Sequence, residues 1–213
     1  VQRSDTLIDL PAATRRNLEL VQTLRGEDSP TLFSLLDTCM TGMGSRMLKG
    51  WLLTPQRDRA QAQERLAAIA LLQGSGAWSA LREQFKGASD VERITARTAL
   101  RQVRPRELVA LRYALERADG LAHTLQSLAT PEGTLLHRLA RWLTPPTGCA
   151  DLLAQSLLEE PAALVRDGGV IAPGLDAELD ELRAIQTNCD DFLLELETRE
   201  KARTGIANLR VQF

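Results

Sequence analysis

The residues that could do chemistry in this sequence are three cysteines, two histidines and a pair of adjacent acids. Cys39, Cys149 and Cys189 are odd in number, far apart and in no C-x-x-C arrangement, which disfavours a disulfide framework or a zinc knuckle. His123 and His137 stand fourteen residues apart with no carboxylate or thiol at ligand spacing. We therefore expect no metal site, and the cysteine usage favours a reducing cytoplasm.

Nucleophilic, acid–base and nucleotide chemistry have little support. Cys39 lies in the apolar run 32–40, where a small buried thiol is expected rather than a nucleophile. Asp190 and Asp191 are adjacent on a predicted helix and point about 100° apart, so they cannot converge on one substrate atom. The Gly168-Gly169 pair lacks the spacings of phosphate loops, and no Walker A motif occurs. We expect no catalytic, cofactor-binding or metal-ligating residue in this chain.

Two groups of arginines could meet phosphates, because the guanidinium group is a good bidentate donor to them. Solvated helix ends and internal salt bridges are the alternative interpretation. A third charged group, Glu92 and Arg93, is expected to pair within the core rather than to catalyse. The two candidate phosphate-binding groups are Arg15-Arg16, and Arg101, Arg104 and Arg106.

The charge is unevenly distributed along the chain. The formal net charge is −2, yet residues 1–120 hold 18 Lys+Arg and 14 Asp+Glu, whereas residues 121–213 hold 8 and 14. A surface that coats nucleic acid along the whole chain is therefore not expected, and any DNA-facing surface is local.

Composition predicts a mainly α fold. The 213 residues are 44% hydrophobic and 25% charged but only 4% aromatic, and residues favoured in helices dominate. No run approaches 18 consecutive apolar residues, and residues 1–5 do not resemble a secretory signal. Because chains normally begin with Met, Val1 suggests a processed product or a piece of a longer protein.

Hydrophobic periodicity and capping signals predict the elements. Short extended pieces around Pro11 are expected over 7–20, and a hairpin across Gly168-Gly169 is expected over 164–171. A break is expected at 41–44, and the clearest interruption, a loop or a domain boundary, lies at 144–148. Helices are predicted from Thr31, through Met47 to Leu52, from Asp58 to Gly74, and at about 77–86, 89–101, 105–118 and 133–143.

The last helix carries the most informative pattern. Its apolar residues recur at an average spacing of 3.5, which is typical of a coiled-coil seam. The span from Asp176 to about Arg203 predicts one helix of roughly 42 Å. Its seam needs a partner helix, which is either an earlier helix of this chain or one that lies outside it. Residues 209–213 alternate like a first strand. The seam residues are Leu175, Leu179, Leu182, Ile185, Cys189, Phe192 and Leu196.

Seven blocks of residues stand in one order along the chain. They are Asp9 with Thr14-Arg15-Arg16-Asn17-Leu18-Glu19-Leu20, Ser34 to Leu48 with Trp51-Leu52 and Pro55, Asp90-Val91-Glu92-Arg93-Ile94, Arg104 to Leu108, Val165 to Ile171, Glu178 to Arg183, and Arg199 to Ile206 with Leu209-Arg210-Val211. Together they resemble the core region of the MutS family of DNA mismatch repair ATPases, although Val91 and Leu175 depart from its usual residues.

The resemblance implies a fold and a domain plan. It implies an irregular multi-helix core bundle with a short hairpin over 1–175, a long coiled-coil-like outgoing lever helix over 176–205, and the start of a clamp domain over 206–213. It also implies that mismatch reading, the connector, most of the clamp and the ATPase lie outside this chain. No catalytic or nucleotide-binding residue of the family can be assigned to a position in this sequence. The DNA-binding residues are unknown.

The function implied is a scaffold that couples the ATPase state to the DNA clamp without catalysis of its own. ATP and Mg²⁺ would serve the intact protein, whose partners would be mismatched double-stranded DNA, a MutL-type protein and a second copy, with no membrane. The alternative is a free helical module that binds a partner helix through its exposed seam.

Overall fold

The computed structural model describes residues 6–187 and 189–210, and the side chains of residues 189–191 lie outside the description. Its described part is mainly α, as predicted, and contains no strand beyond two isolated antiparallel bridges. The helices are α1 (Ala12–Asn17), α2 (Leu32–Leu36), α3 (Gly42–Leu53), α4 (Ala60–Ser75), α5 (Ala77–Phe85), α6 (Val91–Ala99), α7 (Pro105–Gln126), α8 (Leu135–Trp142), α9 (Cys149–Ser156), α10 (Ala177–Thr187) and α11 (Cys189–Thr204).

Side-chain caps fix where several helices begin. Thr31 and Ser34 form a reciprocal capping box at α2, and the hydroxyl of Thr41 accepts from the backbone N–H of Gly44 at the start of α3. Thr134 caps α8 in the same way. Pro105 occupies the first turn of α7, where its missing N–H costs no helical hydrogen bond. These short polar signals set the helix boundaries before tertiary packing acts.

Helix α7 is the centre of the core. Its C-terminal half contributes Leu121 and Leu125 to a cluster with Leu81 of α5 and Leu136 of α8. Its N-terminal half places Val109 in a second cluster with α9 and the segment that follows it. The 22-residue helix therefore runs from one apolar cluster to the other.

The N-terminal segment differs from the prediction. An extended piece is present, because Leu7 bridges Gln56 and the N–H of Ile8 donates to the carbonyl of Pro55 at 2.8 Å. The stretch after Pro11, however, is helix α1 rather than a second extended piece. Proline fixes φ near the helical value and sits just before the first turn, which favours a helix there.

Other boundaries shift for local reasons. The predicted break at 41–44 is the capped first turn of α3, since Thr41 supplies the acceptor that glycines lack. Helix α7 continues eight residues beyond the predicted end at 118, and its Gly120 lies within the helix. Helix α9, which was not predicted, follows the interruption at 144–148.

The predicted hairpin over 164–171 is wrong, because residues 170–171 pair with a segment that precedes the predicted hairpin. Val165–Asp167 forms a 3-10 turn, and Leu157 rather than Leu164 bridges Ile171. The N–H of Leu158 donates to the carbonyl of Val170 at 3.0 Å. Leu157 and Val170 are both 7% exposed, so burial against α7 selects this longer-range pairing over the local turn.

Helices α10 and α11 cover most of the predicted long helix. Asn188 lies outside the described residues, so the continuity of the helix stays a prediction. Apart from α10, no described helix packs extensively against α11. Of the seam residues, Leu182 is 58% exposed and Phe192 is 39% exposed.

The chain exposes more surface than its mass requires. Its accessible surface is 15664 Å², against about 9,800 Å² for a compact monomer of 23.5 kDa. Large apolar side chains such as Trp142, 71% exposed, account for part of the excess. Among the helices of the described residues, none has the length and apolar character needed to cross a membrane.

Candidate functional site

The loop that joins α2 to α3 is folded by its own polar side chains. The hydroxyl of Ser45 donates to Asp37, and the N–H of Cys39 donates to the same carboxylate at 3.2 Å. A Cβ on Gly44 would lie 3.3 Å from Oγ1 of Thr41 and 3.4 Å from Cβ of Cys39. This tight turn therefore favours glycine at 44, and Asp37 fixes its entry.

Arg46, in the second turn of α3, forms ion pairs with two acidic residues at the start of α6. Nη1 and Nη2 of Arg46 donate to the two oxygens of Asp90 at 2.6 and 2.8 Å, and Nη2 also donates to Glu92 at 2.7 Å. Asp90 in turn accepts from the N–H of Arg93 at 3.2 Å and caps α6. We call Arg46, Asp90 and Glu92 the Arg46 junction.

The junction corrects one sequence prediction. Glu92 and Arg93 were expected to pair within the core, but Glu92 binds Arg46 and its side chain is 62% exposed. Arg93 lies 3.4 Å from Asp90 and is 70% exposed. Adjacent helical residues face different sides, so Glu92 reaches α3 while Arg93 turns to solvent.

The electrostatics of the junction are those of a permanent ion pair. Hydrogen bonds to Asp90 and then Glu92 raise the pKa of Arg46, and the Arg46 guanidinium lowers the pKa of Asp90. Near neutral pH neither group exchanges a proton, so the junction cannot serve as a general acid or base. Its chemical capacity is to fasten α3 to α6.

The loop is also held from α5. Nη1 of Arg82 donates to the carbonyl of Thr38 at 3.0 Å, and Nη2 contacts the sulfur of Met40 at 3.2 Å. The loop is therefore bonded to Arg82 of α5 and to Ser45 of α3. These contacts give the loop a structural role.

Of the candidate phosphate-binding arginines, Arg15 and Arg16 line one cavity, whereas Arg101, Arg104 and Arg106 do not line it. Nη2 of Arg16 donates to the carbonyl of Leu24 at 3.1 Å, and Nε of Arg106 donates to the carbonyl of Pro161 at 3.1 Å. The backbone N–H of Arg104 is bound by Glu107 at the start of α7, while Arg101 is exposed. The Nε of Arg15 is buried and has no hydrogen-bond acceptor among the described residues.

Sequence reasoning missed a buried arginine. The side chain of Arg112 in α7 is 8% exposed, and its Nη2 donates to Glu159 at 2.8 Å. Its guanidinium also stacks on Tyr113, 4.6 Å from the ring centroid, and Tyr113 donates its hydroxyl to Glu159. Its burial could have been predicted from its spacing, because Arg112 lies three residues after Val109 and so shares the buried face of α7.

The cysteines, histidines and acids do not assemble a reactive site in the described part of the chain. Cys39 is exposed, contrary to the expected burial, because α2 ends at Leu36. Partial desolvation and the neighbouring Asp37 raise the pKa of its thiol, which disfavours the nucleophilic thiolate. His123 and His137 lie on α7 and α8, and no described group of three potential ligands could hold a metal ion. The side chains of Cys189, Asp190 and Asp191 lie outside the described residues.

The base of α10 is tied to the core. Nη2 of Arg183 donates to the carbonyl of Ile171 at 2.9 Å, and Nη1 donates to Asp180 at 3.2 Å. The second oxygen of Asp180 accepts from the N–H of Gly174 at 2.6 Å. Since Ile171 packs on the cluster of Val109, these bonds fasten α10 to the centre of the fold.

The family MutS domain III matches residues 13–210 of the chain. The matched range includes the Arg46 junction, the central helix α7 and both helices at the C-terminal end.

Proposed function

The chain belongs to the MutS domain III family, and from this premise we propose that it is the scaffold through which a mismatch repair ATPase couples its nucleotide state to its DNA clamp. Domain III is a non-catalytic core domain of a mismatch repair family. The roles of ATP, the clamp and the partners are part of the proposal.

The observation that carries the proposal is the fastening of α10. Arg183 and Asp180 bind the backbone at Ile171 and Gly174, so the base of the helix moves with the core. Beyond Asn188, α11 is a further 16 residues, about 24 Å of helix, without extensive packing on the core. The continuous helix through Asn188 that the sequence predicts would be held at its base and would convert a small rotation there into a larger displacement at its tip.

The remaining assignments follow from the family. ATP and Mg²⁺ would bind elsewhere in the intact protein, and mismatched duplex DNA would be held by its other domains. A MutL-type protein and a second copy would be the protein partners, in the cytoplasm. This chain would contribute geometry and stiffness rather than a reacting group.

A graft tests the coupling. We expect this chain, placed in the matching segment of a complete MutS protein, to preserve ATP-triggered release from a mismatched duplex, measured by surface plasmon resonance. Arg183→Gln removes the tie to Ile171 and should slow release while ATP hydrolysis and initial DNA binding persist. Arg199→Gln removes the same charge at a 73% exposed position of α11 and is the matched control. Normal release with Arg183→Gln would refute this transmission path.

DNA binding by the chain alone is a second test. Fluorescence-anisotropy titration with homoduplex and single-mismatch DNA at two salt concentrations should give no binding, or weak binding equal for both duplexes and strongly salt-dependent. A clear preference for the mismatch would assign recognition to this chain and contradict the proposed division of roles.

The exposure of Leu182 and Phe192 favours a second candidate function, a module that binds a partner helix through this seam. Such a module would bind a helical partner in solution without the rest of a MutS protein. The scaffold, in contrast, acts only within the complete protein, so the grafted and isolated chains distinguish the two functions.

A further inference from the structure

An arginine-rich stretch runs along α6 and the turn that leads into α7. Residues 93–106 include five arginines and no acidic residue. All five residues are exposed, but Nε of Arg106 donates to the carbonyl of Pro161 at 3.1 Å. We call the other four the arginine strip. They are Arg93, Arg97, Arg101 and Arg104.

The fold joins the strip into one patch. Arg93 and Arg97 lie one turn apart on α6. The chain then turns back, because the N–H of Gln102 donates to the carbonyl of Arg97 at 2.8 Å. Glu107 accepts from the guanidinium of Arg97 with one oxygen and from the backbone N–H of Arg104 with the other. The strip therefore follows α6 and continues into its C-terminal turn.

The carboxylates around the strip leave it positively charged. Arg46 already binds both acids that precede the strip, and Glu107 is paired with Arg97. Arg93 lies 3.4 Å from a carboxylate of the Arg46 junction, yet its side chain is 70% exposed. In the part of the chain that the structure describes, neither Arg101 nor Arg104 forms an ion pair. Four guanidinium groups with so few acids give this surface a positive potential.

Arg101 occupies a backbone position that favours glycine. Its φ is +55°, in the left-handed region, and it directly follows Leu100, the C-cap of α6. Glycine adopts this conformation at no steric cost and commonly ends helices there. A cation near a helix C-terminus also interacts favourably with the helix dipole. A binding role and a stabilising role for this side chain therefore make opposite predictions for a glycine substitution.

We propose that the arginine strip binds the sugar–phosphate backbone of duplex DNA. Arginines one helical turn apart are separated by about 6 Å along the axis, close to the roughly 6.8 Å that two phosphates of one strand span. Guanidinium forks bind phosphate oxygens with two hydrogen bonds. Residues 91–107 include no aromatic side chain, so the stacking that single strands need has no support here. The choice of DNA rests on the mismatch repair function proposed above.

Fluorescence-anisotropy titration of the full chain with a labelled homoduplex at several salt concentrations tests the strip. We expect weak, saturable binding whose logarithm falls linearly with the logarithm of the salt concentration. Phosphate contacts carry no sequence information, so a single-mismatch duplex should bind equally well. Absence of binding at low salt would refute the strip and leave the scaffold role, which the graft tests, unaffected.

A charge-matched pair of double variants locates the binding. Arg101→Gln with Arg104→Gln should weaken DNA binding roughly tenfold at low salt and reduce the salt slope by about two, one for each lost phosphate contact. Arg25→Gln with Arg199→Gln removes the same charge from exposed residues outside the strip and should leave both quantities nearly unchanged. An equal loss with the second pair would show nonspecific charge attraction only and would overturn the proposal.

Arg101→Gly separates binding from folding. Glycine relieves the left-handed backbone, so the melting temperature measured by circular dichroism should stay the same or rise. The affinity for DNA should nevertheless fall about threefold, because one phosphate contact is lost. An unchanged affinity, or a fall in the melting temperature that accompanies the loss of binding, would assign Arg101 to the turn and contradict its role in the strip.

An acidic protein surface is the competing partner, and a competition arm distinguishes it. Unlabelled duplex and poly-glutamate of equal total charge are each added to the complex of the chain with labelled DNA. The duplex should displace the labelled DNA at much lower concentration than poly-glutamate does. Displacement by poly-glutamate at the same or a lower concentration would show that the strip prefers carboxylates, and DNA would be rejected as its partner.

Discussion

Arg46 of α3 and Asp90 at the start of α6 are joined by two hydrogen bonds across 44 residues of sequence. The same carboxylate accepts from the backbone N–H of Arg93 and so caps α6. One side chain therefore both begins a helix and fastens it to another. Substitutions of Asp90 can therefore separate the stability that comes from the helix cap from the stability that comes from the ion pair with Arg46.

Asp90→Asn and Asp90→Ala should destabilise the chain to different extents. Asparagine keeps an oxygen for the cap but loses the charge facing Arg46, whereas alanine also loses the cap, which contributes about 1 kcal/mol. We expect the melting temperature to fall from Asp90 to Asn and further to Ala. Arg93→Ala, at an exposed side chain, should change it little. Equal melting temperatures for the Asn and Ala variants would refute the capping role.

A double-mutant cycle extends this test to Arg46. If the two residues act through one contact, Arg46→Gln and Asp90→Asn together should cost less than the sum of the single changes. Additive effects in urea unfolding would show that the contact contributes nothing to stability in solution.

The junction should also give the stability a dependence on acid pH. Asp90 has a folded pKa below its ordinary value of 3.8, so its contribution is fully present above that value and is lost as the pH falls through the lower folded pKa. Asp90→Asn should therefore reduce the loss of stability below about pH 4. Asp119→Asn, at an exposed acid of α7 without a partner in the described part of the chain, is the control and should leave the acid dependence unchanged. Urea unfolding at several pH values measures both.

Because Arg112 is buried, removing its acceptor and removing Arg112 itself should lower the free energy of unfolding by different amounts. Glu159→Ala leaves its guanidinium without the main acceptor and should cost about 1 to 2 kcal/mol, because Glu159 is itself largely exposed. Arg112→Met removes the charge as well and fills similar space, so it should cost less. Glu160→Ala, at the adjacent exposed acid, should be neutral. A larger loss from Arg112→Met than from Glu159→Ala in urea unfolding would contradict this account.

Local signals predicted much of the fold, and long-range contacts explain what they missed. The caps at Thr31 and Pro105 depend on neighbouring residues, so the starts of α2 and α7 could be predicted. The pairing of Ile171 with Leu157 depends on burial against α7, and the Arg46 junction on an approach of distant segments. No spacing in one sequence encodes such contacts. The family resemblance, in contrast, could be predicted because it rests on ordered blocks of residues, and the match over 13–210 confirms it.

The exposed seam predicts self-association of the isolated chain. Leu182 and Phe192 present apolar surface at coiled-coil spacing, and burial of such surface stabilises a helix pair. Sedimentation velocity at increasing concentration should detect a dimer or larger species, and Leu182→Gln with Phe192→Gln should shift the chain toward monomer. Leu194→Gln is the matched control, since Leu194 is 69% exposed but lies off the seam, so its loss should leave association unchanged. A strict monomer at all concentrations, or an equal effect of Leu194→Gln, would show that the seam is not the associating surface.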